Sequence, residues 1–106
     1  MTQLQEKAID RIKKLVESDM YSDDMEIKKW EVNDLDSFVS LVVEYGHKGD
    51  EGTLASIICR TRAHLFIGKR GGITYPVSKQ MKDGSWKHYY KRFGGYSLLQ
   101  AVVDQK

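Results

Sequence analysis

The chain has one cysteine, one proline and no glycine before Gly46, and its second half is nearly free of carboxylates. A lone Cys59 excludes an intramolecular disulfide and fits a reducing compartment, so a cytoplasmic location is the expectation. An apolar run such as Leu41-Val42-Val43 falls far short of the ~20 residues that a spanning helix needs, and the charged start MTQLQEKAIDRIKK is unlike a signal peptide. No membrane partner is expected. The histidines and the cysteine show no zinc spacing, Asp23-Asp24 lack a glycine-bearing calcium loop, and neither glycine loop matches G-x-x-x-x-G-K-[ST]. The sequence therefore supports no metal, no cofactor and no small-molecule substrate.

With 41% hydrophobic and 30% charged residues over 106 positions, the balance is that of one globular domain, residues 1–106. The net charge of +2 conceals a division. Residues 1–52 carry 7 Lys/Arg against 13 Asp/Glu, whereas residues 53–106 carry 10 against 2. An asymmetry of this kind points to an anionic partner for the basic half, commonly nucleic acid, or to halves that neutralise each other within one fold.

The stripe Leu4, Ala8, Ile9, Ile12, Leu15 and Val16 predicts an amphipathic helix over 3–18, with Thr2 as cap and Gln5 at the capping-box position. The acidic stretch 19–36 reads as a solvated connection. A short strand, Glu26–Val32, lies in its middle, with Trp30 and Val32 on one face and Ile27, Lys29 and Glu31 on the other. Ser37–Tyr45 is rich in β-branched and aromatic residues and predicts a strand, with a helix as the alternative. Residues 54–68 alternate as a strand that turns Ile57, Cys59, Ala63, Leu65 and Ile67 one way and Arg60, Arg62, His64 and Phe66 the other. The KRGG turn, residues 69–72, then leads into a returning strand with Ile67 opposite Ile73. Pro76, which has no donor, marks an edge or a bulge in it.

GSWKHYYKRFGG, residues 84–95, admits two readings. As a helix it turns Trp86, Tyr89, Tyr90 and Phe93 inward; as a strand it follows a two-residue Asp83-Gly84 turn that sets Val77 opposite Tyr90. The turn chemistry and the aromatic content favour the hairpin. Leu98, Leu99, Val102 and Val103 form the apolar side of a short C-terminal helix. The architecture expected is α+β: an N-terminal amphipathic helix, an antiparallel sheet of four or five strands, and a short C-terminal helix.

Residues 66–73 locally resemble the I-G-x-x-G segment of KH domains, whose glycine loop grips a nucleic-acid backbone. That motif sits between helices, whereas this stretch lies between strands, so no family follows. The helix–strands–helix order is similar to that of double-stranded-RNA-binding domains in architecture only, since no basic cluster opens the last helix. Cys59 falls on the apolar face, as a small buried hydrophobe would, and His64 points the other way on the same strand, so no Cys–His pair forms and a non-enzymatic protein is expected.

The leading expectation is a binding protein for single-stranded or structured nucleic acid. Arg60, Arg62, Lys69, Arg70, Lys87, Lys91 and Arg92 would meet phosphates, with His64 beside them and with Phe66 and Tyr89 as stacking platforms. The alternative is a protein-interaction module whose acidic and basic halves dock a partner or a second copy.

Overall fold

A computed structural model of the chain describes residues 1–20, 23–49, 61–94 and 98–105. Helix α1 spans Gln3–Asp19. Five strands follow, β1 (Met25–Asp34), β2 (Phe38–His47), β3 (Thr61–Gly68), β4 (Ile73–Gln80) and β5 (Trp86–Arg92), and a second helix, α2, covers Leu98–Asp104. All five strands pair antiparallel in the order β1-β2-β3-β4-β5. The expected α+β fold is present.

Period-two alternation divides this sheet into two faces. Val39, Leu41, Val43 and Tyr45 of β2, Ala63, Leu65 and Ile67 of β3, and Ile73, Tyr75 and Val77 of β4 are buried against Ala8, Ile12 and Val16 of α1 and Leu98 and Ala101 of α2. Both described helices therefore pack on the same side. The start of α1 is fixed by the capping box that its sequence announces: the Gln5 amide donates to Thr2 Oγ1, and the Thr2 amide donates to Gln5 Oε1. Buried Gln5 also donates through Nε2 to the Ile67 carbonyl, and Thr2 Oγ1 donates to the Lys69 carbonyl, which moors the β3–β4 turn to the helix.

Several expectations are corrected. β1 is longer than Glu26–Val32, and a bulge between Ile27 and Lys29 shifts the face, so that Ile27 packs with Trp30 and Val32 against the core instead of opposing them. In α2 the buried residues are Leu98 and Ala101, whereas Leu99 and Val103 are 57% and 62% exposed. The segment 85–93 is a strand, not a helix.

The turn before β5 has three residues, not two. Met81 and Ser85 are joined by Met81 N–H donating to the Ser85 carbonyl, and Gly84, at φ +87°, takes the left-handed position. Asp83 accepts from the Ser85 amide at 3.0 Å and from its hydroxyl at 2.6 Å, which fixes this wider loop. The register of β4 and β5 is thereby one residue from the two-residue alternative: Val77 faces Tyr89, and Tyr90 faces Pro76. A slip of one residue exchanges the faces of the whole strand.

Pro76 marks a break, as its chemistry requires. The β3–β4 ladder is confined to Phe66–Thr74 and Ile67–Ile73, ending before Pro76. At that place the side chain of Gln105, just beyond α2, serves as a substitute strand: it accepts from the His64 amide and donates to the His64 carbonyl, both at 3.3 Å. Asp104, its neighbour, accepts from Tyr75 Oη at 2.8 Å and from Lys91 Nζ at 3.2 Å. The C-terminal end of α2 thus seals the seam between β3 and β4.

Candidate nucleic-acid interface

No described helix packs on the opposite face of the sheet. The ladders bring Phe38, Ser40, Val42 and Glu44 of β2 together there with Arg62, His64 and Phe66 of β3, Thr74, Pro76 and Ser78 of β4, and Trp86, His88, Tyr90 and Arg92 of β5. From Thr74 to Ser78, β4 contributes only small side chains to this face. Aromatic rings on either side consequently lean over it: Phe66 meets Tyr90 edge-on at 5.6 Å between centroids and Phe38 edge-on at 5.3 Å, while His64 lies 4.5 Å from Phe66. The row borders an open groove of about 630 Å³ lined by Phe38, Phe66, Gly68, Gly72, Ile73, Thr74, Tyr90 and Arg92.

Charge on this face is graded. Toward β1, Arg62 Nε lies 3.7 Å from Glu44, and Lys29 Nζ lies 3.4 Å from Glu31, so cations and anions offset each other. Toward β5, Arg92 is exposed and has no ion-pair partner among the described residues. His64 Nε2 is hydrogen-bonded to Ser40 Oγ at 2.8 Å. Partial burial, followed by the nearby Arg62 charge, holds the His64 pKa below the ordinary 6.5. The ring is therefore predominantly neutral at pH 7.

The sequence-derived residues divide. Arg62, His64, Phe66 and Arg92 share the open face, and Arg60 lies outside the described residues, as does Cys59. Lys87, Tyr89 and Lys91 stand on the helix side, because the three-residue turn sets the register: Lys87 reaches over the Tyr89 ring at 5.7 Å, and Lys91 is held by Asp104. Lys69 and Arg70 are exposed at the β3–β4 turn. There the Gly68 amide donates to the Gly72 carbonyl and the Gly71 amide to the Gly68 carbonyl, so two of the three glycine amides are occupied within the loop instead of being offered to an anion.

Trp86 and Tyr90, 56% and 68% exposed, belong to the open face although the two-residue turn sends them inward. Asp83 followed by Ser85 is compatible with the wider loop, but equally with the two-residue turn. The sequence allows Ser37–Tyr45 to pair with the next strand so that Leu41 faces Cys59 and Phe38 faces Arg62; the observed register lies six residues away, with Leu41 facing Leu65 and Phe38 facing Gly68. An even shift preserves the face. Among the described residues no group of three His, Cys, Asp or Glu side chains could hold a metal ion, and no helix is long and apolar enough to cross a membrane. Comparison of the chain with protein-family models, curated proteins and solved structures gave no match.

Proposed function

We propose that the protein binds single-stranded nucleic acid on the open face of its sheet. The observation that carries this reading is the Phe38–Phe66–Tyr90 row beside Arg92, which has no ion-pair partner among the described residues, on a face that no described helix covers. Rings offer π-faces on which any base can stack, and the arginine adds a phosphate contact that needs no base identity. The graded charge gives the bound strand a side: it lies over β3–β5, away from Glu31 and Glu44. A duplex fits less well, because the face is a shallow sheet and presents no basic helix for a groove.

Fluorescence anisotropy with a labelled single-stranded 12-mer, a duplex and heparin tests the reading. Phe66→Ala and Tyr90→Ala each remove a stacking surface worth about 1–3 kcal/mol and weaken single-strand binding roughly 5- to 150-fold. Arg92→Ala reduces the slope of log affinity against log salt by about 0.7, the value for one phosphate contact on a single strand. Tyr89→Ala, on the other side of the sheet, leaves binding within about twofold. No single-strand binding at low salt, or equal uptake of heparin and insensitivity to the ring variants, overturns the reading; a mass that rises with concentration then favours the interaction-module alternative.

A further inference from the structure

β5 ends the sheet, and every one of its seven residues is exposed. The ladder bonds reveal which of its backbone groups have no ladder partner among the described residues. Phe93 N–H donates to Ile73 and Met81 N–H to Ser85, so the hydrogen-bonded pairs are the odd-numbered ones, with Tyr75–Lys91, Val77–Tyr89 and Lys79–Lys87 between them. Pro76, which could not donate, accordingly faces Tyr90 across a non-bonded pair. The amides and carbonyls of Trp86, His88, Tyr90 and Arg92 thus point outward from the sheet edge. The opposite edge differs: β1 is interrupted by its bulge and carries Lys28–Glu26 and Lys29–Glu31 ion pairs, devices that discourage strand addition. β5 has no register break.

We propose that the free edge of β5 accepts an extended acidic peptide as a sixth strand, through backbone hydrogen bonds to Trp86, His88, Tyr90 and Arg92. Charge selects the occupant. A symmetric β5–β5 pairing of two copies in its fullest register, centred on Tyr89, would set Lys87 of each copy opposite Lys91 of the other, and like charges facing each other across strands repel. Within the hairpin, Lys79 already stands directly opposite Lys87, and neither makes an ion pair among the described residues. The added strand would place alternate side chains beside Lys87 and Lys91 on the helix side and beside Trp86 and Tyr90 on the open side. Its chemistry follows: carboxylates on one face and apolar groups on the other. This inference does not rest on nucleic-acid binding, since its hydrogen bonds go to edge amides and its charge selection to the helix-side lysines, although the peptide's apolar groups would lie beside Tyr90.

The test uses a fluorescein-labelled Glu-Val-Glu-Val-Glu-Val-Glu peptide and its Lys-Val counterpart, with anisotropy as the readout. The acidic peptide binds at least tenfold more tightly than the basic one. His88→Pro deletes one outward donor while sparing the β4–β5 ladder, and weakens acidic-peptide binding at least tenfold relative to His88→Ala. Equal binding by these two variants means that charge alone attracts the peptide and overturns the proposal. Should His88→Pro fail to fold, hydrogen exchange of the unmodified protein decides: saturating peptide slows the Trp86, His88, Tyr90 and Arg92 amides at least tenfold, and unchanged exchange there overturns the proposal. A doubling of mass that excludes the peptide also overturns it, by assigning the edge to a second copy.

Discussion

A proline and a glutamine 29 positions apart explain one another. Pro76 cannot supply the N–H that the His64 carbonyl would receive from a continuing strand, and the carboxamide of Gln105 supplies it, taking the His64 amide in return. Gln105→Ala leaves both groups without a protein partner and should cost about 1–3 kcal/mol in urea denaturation. Glycines give a second test. Gly71 and Gly84 share a left-handed backbone, at φ +86° and +87°, but a Cβ at Gly71 would lie 3.1 Å from the Leu4 carbonyl oxygen, whereas at Gly84 it would meet nothing within 4 Å. Gly84→Ala therefore costs about 1–2 kcal/mol for its backbone conformation alone, and Gly71→Ala costs more by thermal melting. His64 supplies a pH dependence. Its folded pKa lies below its unfolded value, so the unfolded chain takes up the proton first on acidification. The stability His64 contributes is complete above about pH 6.5, and is lost as pH falls through its folded pKa; His64→Gln, followed by denaturation at several pH values, should flatten that part of the profile.

At the scale of elements, the helix α1 was legible because its cap, box and stripe agree, and the β3–β4 turn because pairing Ile67 with Ile73 across the glycine turn lines both strands with apolar residues. Other features were not, for identifiable reasons. The stretch Lys82-Asp83-Gly84-Ser85 supports two loop lengths, and the choice between them rests on a side-chain hydrogen bond from Ser85 to Asp83 that sequence spacing alone does not reveal. That choice decides whether Tyr89 or Tyr90 joins the candidate site. In α2, four apolar positions compete for one narrow contact, and the seam that Gln105 must reach sets the rotation of the helix, leaving Leu99 and Val103 outside. Breaking the Asp83 contacts is informative: Asp83→Ala is expected to raise the exchange rate of the Ser85 amide severalfold and to destabilise the hairpin by about 1 kcal/mol.

For the whole molecule, strand order that follows chain order turns a division in the sequence into a division in space. The acid-rich part of the chain builds α1, β1 and β2, and the base-rich part builds β4, β5 and the turns beside them, so the sheet carries opposite charge toward its two edges. At the β2–β3 interface Glu44 and Arg62 offset them directly. Long-range orientation toward a polyanion is therefore stronger than +2 implies, and association rates should fall steeply with ionic strength in stopped-flow measurements.

The seam beside Pro76 also bears on how the chain assembles. Every strand pairing joins neighbours in sequence and can close early at little entropic cost, but the closure at His64 awaits a side chain 41 residues downstream. Two hairpin-built halves, hinged at two residue pairs, become one continuous body only when the C-terminal helix latches them.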